Sequence, residues 1–185
     1  MKKFLHVLSV LAVGFAFTAC GDSTSSDGGD NSNSNSLEAT KGSFPPNGDE
    51  AFYCEVTDGI NEDGSYWKQI KVNIPKYKGH VEKITYDETG TGTQYYEDSR
   101  FYLTPYEKRA MCLEFEDGIK EQSRKRNVTE SYCENGVSYF VVSFQNAGLG
   151  SLTSKVDSFE EDCEGYMQKW KDGEYDEDIE RRLSR

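Results

Sequence analysis

Val128-Thr129-Glu130-Ser131-Tyr132-Cys133-Glu134-Asn135-Gly136-Val137-Ser138-Tyr139-Phe140-Val141-Val142-Ser143-Phe144 is the stretch on which the fold turns. Two runs rich in β-branched and aromatic residues flank Asn135-Gly136, the pair that most readily supplies the positive φ angles of a tight hairpin turn. The spacing predicts strands over 128–133 and 137–144. The second run is apolar on both parities, which suits a central strand covered on both sides or a strand with one face in an interface.

Upstream of this hairpin, Thr104-Pro105-Tyr106-Glu107 predicts a helix start, with Thr104 as N-cap, Pro105 in the first turn and Glu107 completing a capping box. Met111, Cys112, Phe115 and Ile119 then recur at helical spacing and give that helix one inward face, with Gly118 near its end. Further upstream, Tyr66 to Ile74 alternates, with Tyr66, Ile70, Val72 and Ile74 on one side and Trp67, Gln69, Lys71 and Asn73 on the other. Pro75 ends that strand, and His80 to Tyr86 returns after the turn Lys76-Tyr77-Lys78-Gly79. Phe52 to Val56 is a short first strand, followed by a polar connecting turn over Thr57 to Gly64. Thr89-Gly90-Thr91-Gly92-Thr93 lacks any phosphate-loop pattern and reads as a loop that continues into Tyr95-Tyr96.

Downstream, Ser158-Phe159-Glu160-Glu161 has the form of a second capping box. Phe159, Cys163, Tyr166 and Trp170 then follow at helical spacing, and Lys171-Asp172-Gly173 closes the helix. Strand, hairpin, helix, hairpin, helix predicts an α+β domain over 49–172: an antiparallel sheet of about five strands with two helices packed on one face. Residues 173–185 are expected to be a loose charged tail. The hairpin–helix–hairpin order from Tyr77-Lys78-Gly79-His80-Val81-Glu82-Lys83 through Tyr132 resembles the domain of small YehR-like lipoproteins, a likeness of topology that implies no particular activity.

At the other end of the sequence, Lys2 and Lys3 precede an apolar run from Phe4 to Phe17, the layout of a signal peptide over 1–19. As a helix, a run of about fourteen residues would span roughly 21 Å, short of the roughly 30 Å of a hydrocarbon core. Phe17-Thr18-Ala19-Cys20-Gly21 resembles the lipobox of bacterial lipoproteins. The resemblance implies cleavage before Cys20, acylation of that residue (palmitate being the usual label) and attachment to a membrane of the bacterial cell envelope. Asp22 resembles an inner-membrane retention signal of enteric bacteria. From residue 20 to 48 the chain is mostly Ser, Asn, Asp, Gly and Thr, which has little to bury and predicts a disordered linker closed by Pro45-Pro46-Asn47-Gly48.

The chain carries 21 Lys and Arg against 33 Asp and Glu, a net charge of −12. Loss of Lys2 and Lys3 with the signal would take it to −14. Such a balance argues against nucleic acid, whose phosphates are held by Lys and Arg, and Arg124-Lys125-Arg126 reads as a solvated loop. Cys54, Cys112, Cys133 and Cys163 have no CxxC spacing and no histidine cluster beside them, so disulfides are expected and a metal site is not. Of the three connectivities, Cys54 with Cys112 and Cys133 with Cys163 is expected, because nearer partners meet sooner.

No nucleophile-and-base motif accompanies His80, and neither a cofactor nor a catalytic residue is expected. Trp67, on the polar face of its strand, and Tyr95 with Tyr96 are the candidate binding aromatics, as an exposed platform for a glycan or an envelope protein. The alternative is a small secreted hydrolase that uses two carboxylates on a glycan.

Overall fold

A computed structural model describes residues 42–184. The signal, Cys20 and most of the linker expected from the sequence lie outside those residues. In chain order the elements are β1 (Tyr53–Ile60), β2 (Tyr66–Ile74), β3 (Lys78–Tyr86), β4 (Gly92–Arg100), α1 (Pro105–Gln122), β5 (Asn127–Glu134), β6 (Val137–Phe144), α2 (Leu149–Lys171) and α3 (Asp176–Leu183). The strands form one antiparallel sheet in the order β1-β2-β3-β4-β6-β5. This is the expected α+β arrangement with one strand and one helix more than the sequence suggests.

The extra strand is β4, which begins inside the Thr-Gly run. Gly92 faces Tyr86 in the ladder, and a Cβ there would stand 1.9 Å from the Thr85 carbonyl oxygen. Glycine at that position therefore marks close strand approach, a role that composition alone does not separate from a loop. The Asn135-Gly136 hairpin forms as expected, with φ of 55° and 88°.

α1 starts where the sequence places it. The Thr104 hydroxyl accepts from the Glu107 amide at 3.3 Å while the Glu107 carboxylate accepts from the Thr104 amide at 3.0 Å. α2 starts ten residues earlier than expected, with Gly148 at its N-cap. Ser158 is therefore no cap; it lies mid-helix and its hydroxyl donates to the Lys155 carbonyl at 2.8 Å. Leu152 and Val156, seven and three residues before Phe159, extend the buried stripe backwards and outweigh the capping signal.

The register puts both long helices on one face. Lys68, Ile70, Val72 and Ile74 of β2 meet α2, with Leu152, Val156 and Phe159 in the core between them. Following the same face across the ladder leads to Glu82 and Ile84, then Gln94 and Tyr96, then Phe140 and Val142, where Phe115 of α1 stands 6.4 Å from Phe140.

The bridges are Cys54–Cys163 and Cys112–Cys133, with Cα separations of 5.6 and 5.4 Å, and the pairing expected from chain proximity is wrong. The sheet order explains it. Cys54 lies on β1 and Cys112 packs beside β5, at opposite edges of six strands, roughly 24 Å apart at about 4.8 Å per strand. The connection after β6 carries α2 back over the sheet, so Cys163 meets Cys54.

Among the described residues no helix packs on the second face. Phe44 lies there in a smaller core with Val81, Tyr95, Phe101 and Tyr139. Gly79 and Gly48 make the room: a Cβ would stand 2.5 Å from the Phe44 ring at the first and 2.3 Å from the Phe101 ring at the second. Asn73, fully buried, then holds the chain before β1 by accepting from the Asp49 amide and donating to the Asp49 and Ala51 carbonyls. Ser43, Phe44 and Gly48, inside the expected linker, thus belong to the folded body. At the other end, 176–183 is the helix α3 rather than a loose tail. Arg182 donates to the Tyr77 and Phe101 carbonyls, and Asp178 accepts from the Tyr77 hydroxyl at 3.2 Å.

Candidate functional site

α2 packs over β1 and β2 and α1 over β5. Strands β3, β4 and β6 lie between, so the strands that carry the helices are roughly 19 Å apart, four steps of about 4.8 Å. Two helices in contact lie about 8–10 Å apart. A trough remains between them, floored by the helix-side residues of the central strands.

That floor is charged. Along β3 it presents Lys78, His80 and Glu82; along β4 it presents Arg100, Asp98 and Tyr96 in the facing positions. His80 Nδ1 lies 2.9 Å from Asp98 Oδ1. Glu82, 6 % exposed, accepts from Gln94 Nε2 at 2.6 Å and pairs with Lys155 of α2 at 3.3 Å. Tyr166 of α2 leans over this end, 6.4 Å from His80, with the Lys78 ammonium 5.2 Å from its ring. On the α1 side a cleft of about 90 Å³ opens between Asp98, Arg100, Ser138 and the apolar Met111, Phe115 and Phe140.

Ionisation in the trough departs from ordinary behaviour. Burial lowers the Lys78 ammonium, with Asp98 opposing the shift and Arg100, Lys169 and Arg182 adding to it. For Asp98 the crowded floor disfavours the charge, but the His80 hydrogen bond and the charges of His80, Lys78 and Arg100 outweigh it and hold the carboxyl well below the usual range. The Tyr166 phenol is pushed up by burial and then by Asp98, and the Tyr96 phenol by burial and then by Glu82, against the pull of Arg126. Perturbed groups gathered in a concave place make the trough the candidate functional site.

The sequence candidates do not share one platform. Trp67 is half-buried on the helix-free face, laid across Gly59, with the Lys83 ammonium 4.4 Å over its ring. Tyr95 is on the same face but buried, its hydroxyl donating to Glu97 at 2.6 Å. Tyr96 points the other way, into the trough, stacked on Phe140 at 4.7 Å. Adjacent residues of a strand face opposite sides, and the reading of 95–96 as loop hid this. Lys78, Asp98 and Arg100 were missed for the same reason, since their charges align only once β4 is paired with β3.

Of the trough's acids, Asp98 is held low, and Glu82 accepts from Gln94 and pairs with Lys155. Among the described residues no cluster of three or more His, Cys, Asp or Glu can hold a metal ion. Comparison with protein-family models, with curated proteins and with solved structures finds no match to this chain.

Proposed function

We propose that this chain is a lipid-anchored protein of the bacterial cell envelope whose folded part is a non-catalytic binding module, working at the trough between α1 and α2. The observation that carries the reading is the pair of disulfides. Two structural bridges in a small domain are typical of chains that fold in an oxidising compartment, which supports the reading of export. They use every cysteine of the folded part and leave Cys20 for lipid, in the position that resembles a lipobox. The YehR-like order of hairpin, helix and hairpin agrees with a small lipoprotein. In the trough, apolar and charged side chains converge on a concave surface, the usual composition of a ligand site.

Two experiments test this. Cells producing the wild-type chain should incorporate labelled palmitate into it and carry it in the membrane fraction, and Cys20→Ser should lose both; unchanged labelling and partitioning would remove the anchor. A photo-crosslinking residue at Phe115, in the trough, should give adducts in the envelope that the same residue at Thr85, on the helix-free face, does not. Adducts at Thr85 alone would move the site to the other face.

A further inference from the structure

Lys78 and Arg100 are directly opposite each other on β3 and β4, on the same face of the sheet. Like charges in that position destabilise a strand pair. The fold offsets it only in part: Lys78 stands 5.2 Å from the Tyr166 ring and both charges help hold Asp98 ionised, but among the described residues no carboxylate lies within ion-pair distance of either side chain. Asp98, the nearest acid, bonds His80 instead. Lys169 of α2 and Arg182 of α3 add positive potential at the same end. A chain of net charge −12 has thus gathered cations in one corner of its trough, two of which, Lys78 and Arg100, have no carboxylate within ion-pair distance among the described residues. Unpaired, partly buried charge is costly in a fold, and local rules of this kind are most often broken at functional sites.

We propose that this corner binds a single carboxylate carried on a short apolar group, the carboxylate between Arg100 and Lys78 and the apolar group in the cleft against Met111, Phe115 and Phe140. This deepens the proposed binding role and rests on the trough being the site. The planar guanidinium of Arg100 matches a carboxylate with two parallel hydrogen bonds. The cleft of about 90 Å³ has room for a group of a few carbon atoms, given the roughly 30 Å³ that one water occupies in the liquid. Asp98 and Glu114 also line it, two acids against the two cations Lys78 and Arg100, a balance that disfavours a doubly charged ligand. A dianionic phosphate meets repulsion there. The carboxylate can come from a free small acid or from the end of a peptide chain.

The test uses the full-length protein in detergent micelles, with amide resonances of Arg100, Phe115 and Ser138 followed by NMR. N-acetyl-leucine should shift them with a Kd of about 1 mM or tighter, N-acetyl-leucinamide at least about tenfold more weakly, and inorganic phosphate should not compete at equal concentration. Gly-Gly-Leu with a free carboxylate binding tighter than N-acetyl-leucine identifies a chain end as the source; the reverse identifies a free acid. Arg100→Gln and Lys78→Gln should each weaken the acid about tenfold without lowering Tm, whereas Lys83→Gln, on the opposite face, should leave it unchanged. Equal binding of acid and amide, or effective competition by phosphate, overturns the inference while leaving the trough a binding site. No shift with either leucine probe up to about 10 mM also overturns it, and the trough itself is then judged by the crosslink at Phe115.

Discussion

Ser43 gives Glu97 two hydrogen bonds, from its backbone amide at 2.8 Å and from its hydroxyl at 2.9 Å, onto a carboxylate that is 1 % exposed. The chain therefore joins the folded body at the centre of the helix-free face, on β4, and Phe44 follows into the small core there.

Removing the clamp should cost more than its two bonds. Glu97 also accepts from the Tyr95 hydroxyl at 2.6 Å and the Ser99 hydroxyl at 3.2 Å. Glu97→Ala leaves these donors buried without an acceptor, and at about 1–3 kcal/mol for a buried group so stranded the loss should reach about 3 kcal/mol. Glu97→Gln keeps a carbonyl acceptor and should lose less. Urea unfolding followed by tyrosine fluorescence measures both, and a change under about 0.5 kcal/mol for Glu97→Ala would remove the clamp as a stabilising feature.

The two disulfides should differ in worth. Cys54–Cys163 joins residues 109 apart, and Cys112–Cys133 joins residues 21 apart. In the chain-entropy treatment a loop of about 100 residues contributes about 4.7 kcal/mol and one of about 15 residues about 3 kcal/mol. The double Cys54→Ser, Cys163→Ser variant should therefore melt below the double Cys112→Ser, Cys133→Ser variant in a calorimetric scan. Peptide mapping of the unreduced protein should recover the Cys54–Cys163 and Cys112–Cys133 peptides, and a Cys54–Cys112 peptide would contradict the fold.

The His80–Asp98 pair predicts an acid limb of stability. The folded Asp98 carboxyl is held low, so what it contributes is fully present above its unfolded value, near 4, and is lost as pH falls through the lower folded value. Arg100, two residues on along β4, and Lys78, diagonally across on β3, help hold it there, while Tyr166 covers the same end from α2. Between pH 5 and about 2.5 the urea midpoint of the wild type should fall more steeply than that of Asp98→Asn. Parallel curves would mean that the pair carries no such linkage.

How much of this was legible in the sequence follows from the range of each interaction. The period-two pattern of Tyr66 to Ile74, the capping box at Thr104 and the Asn135-Gly136 turn are local, and all three appear in place. β4 was hidden because the reason for Gly92 is the Thr85 backbone across the ladder. The cystine pairing was hidden because it depends on where α2 lands after crossing the sheet. Of the trough, Lys78, His80 and Tyr166 were visible as residues but not as neighbours, since their meeting with Asp98 and Arg100 exists only in the register of β3 against β4.

The last turn of the chain offers the sharpest contrast with its composition, since 173–185 reads as polar and unanchored. Arg182 donates to two main-chain carbonyls, those of Tyr77 and Phe101, and its guanidinium stands 4.3 Å from the centroid of the Tyr77 ring. Tyr175 packs on that ring from the other end of the connection, 5.4 Å away. Arg182→Ala removes two charge-assisted bonds and a cation–π contact, so a loss of about 2 kcal/mol is expected. Arg181→Ala, whose partner Asp178 is one turn earlier on the same exposed helix surface, should change stability by less than about 0.5 kcal/mol. Carboxypeptidase digestion gives an independent reading: trimming should stall before Arg182 in the wild type and run past it in Arg182→Ala. Equal trimming of the two would mean that α3 is not held against the body by this residue.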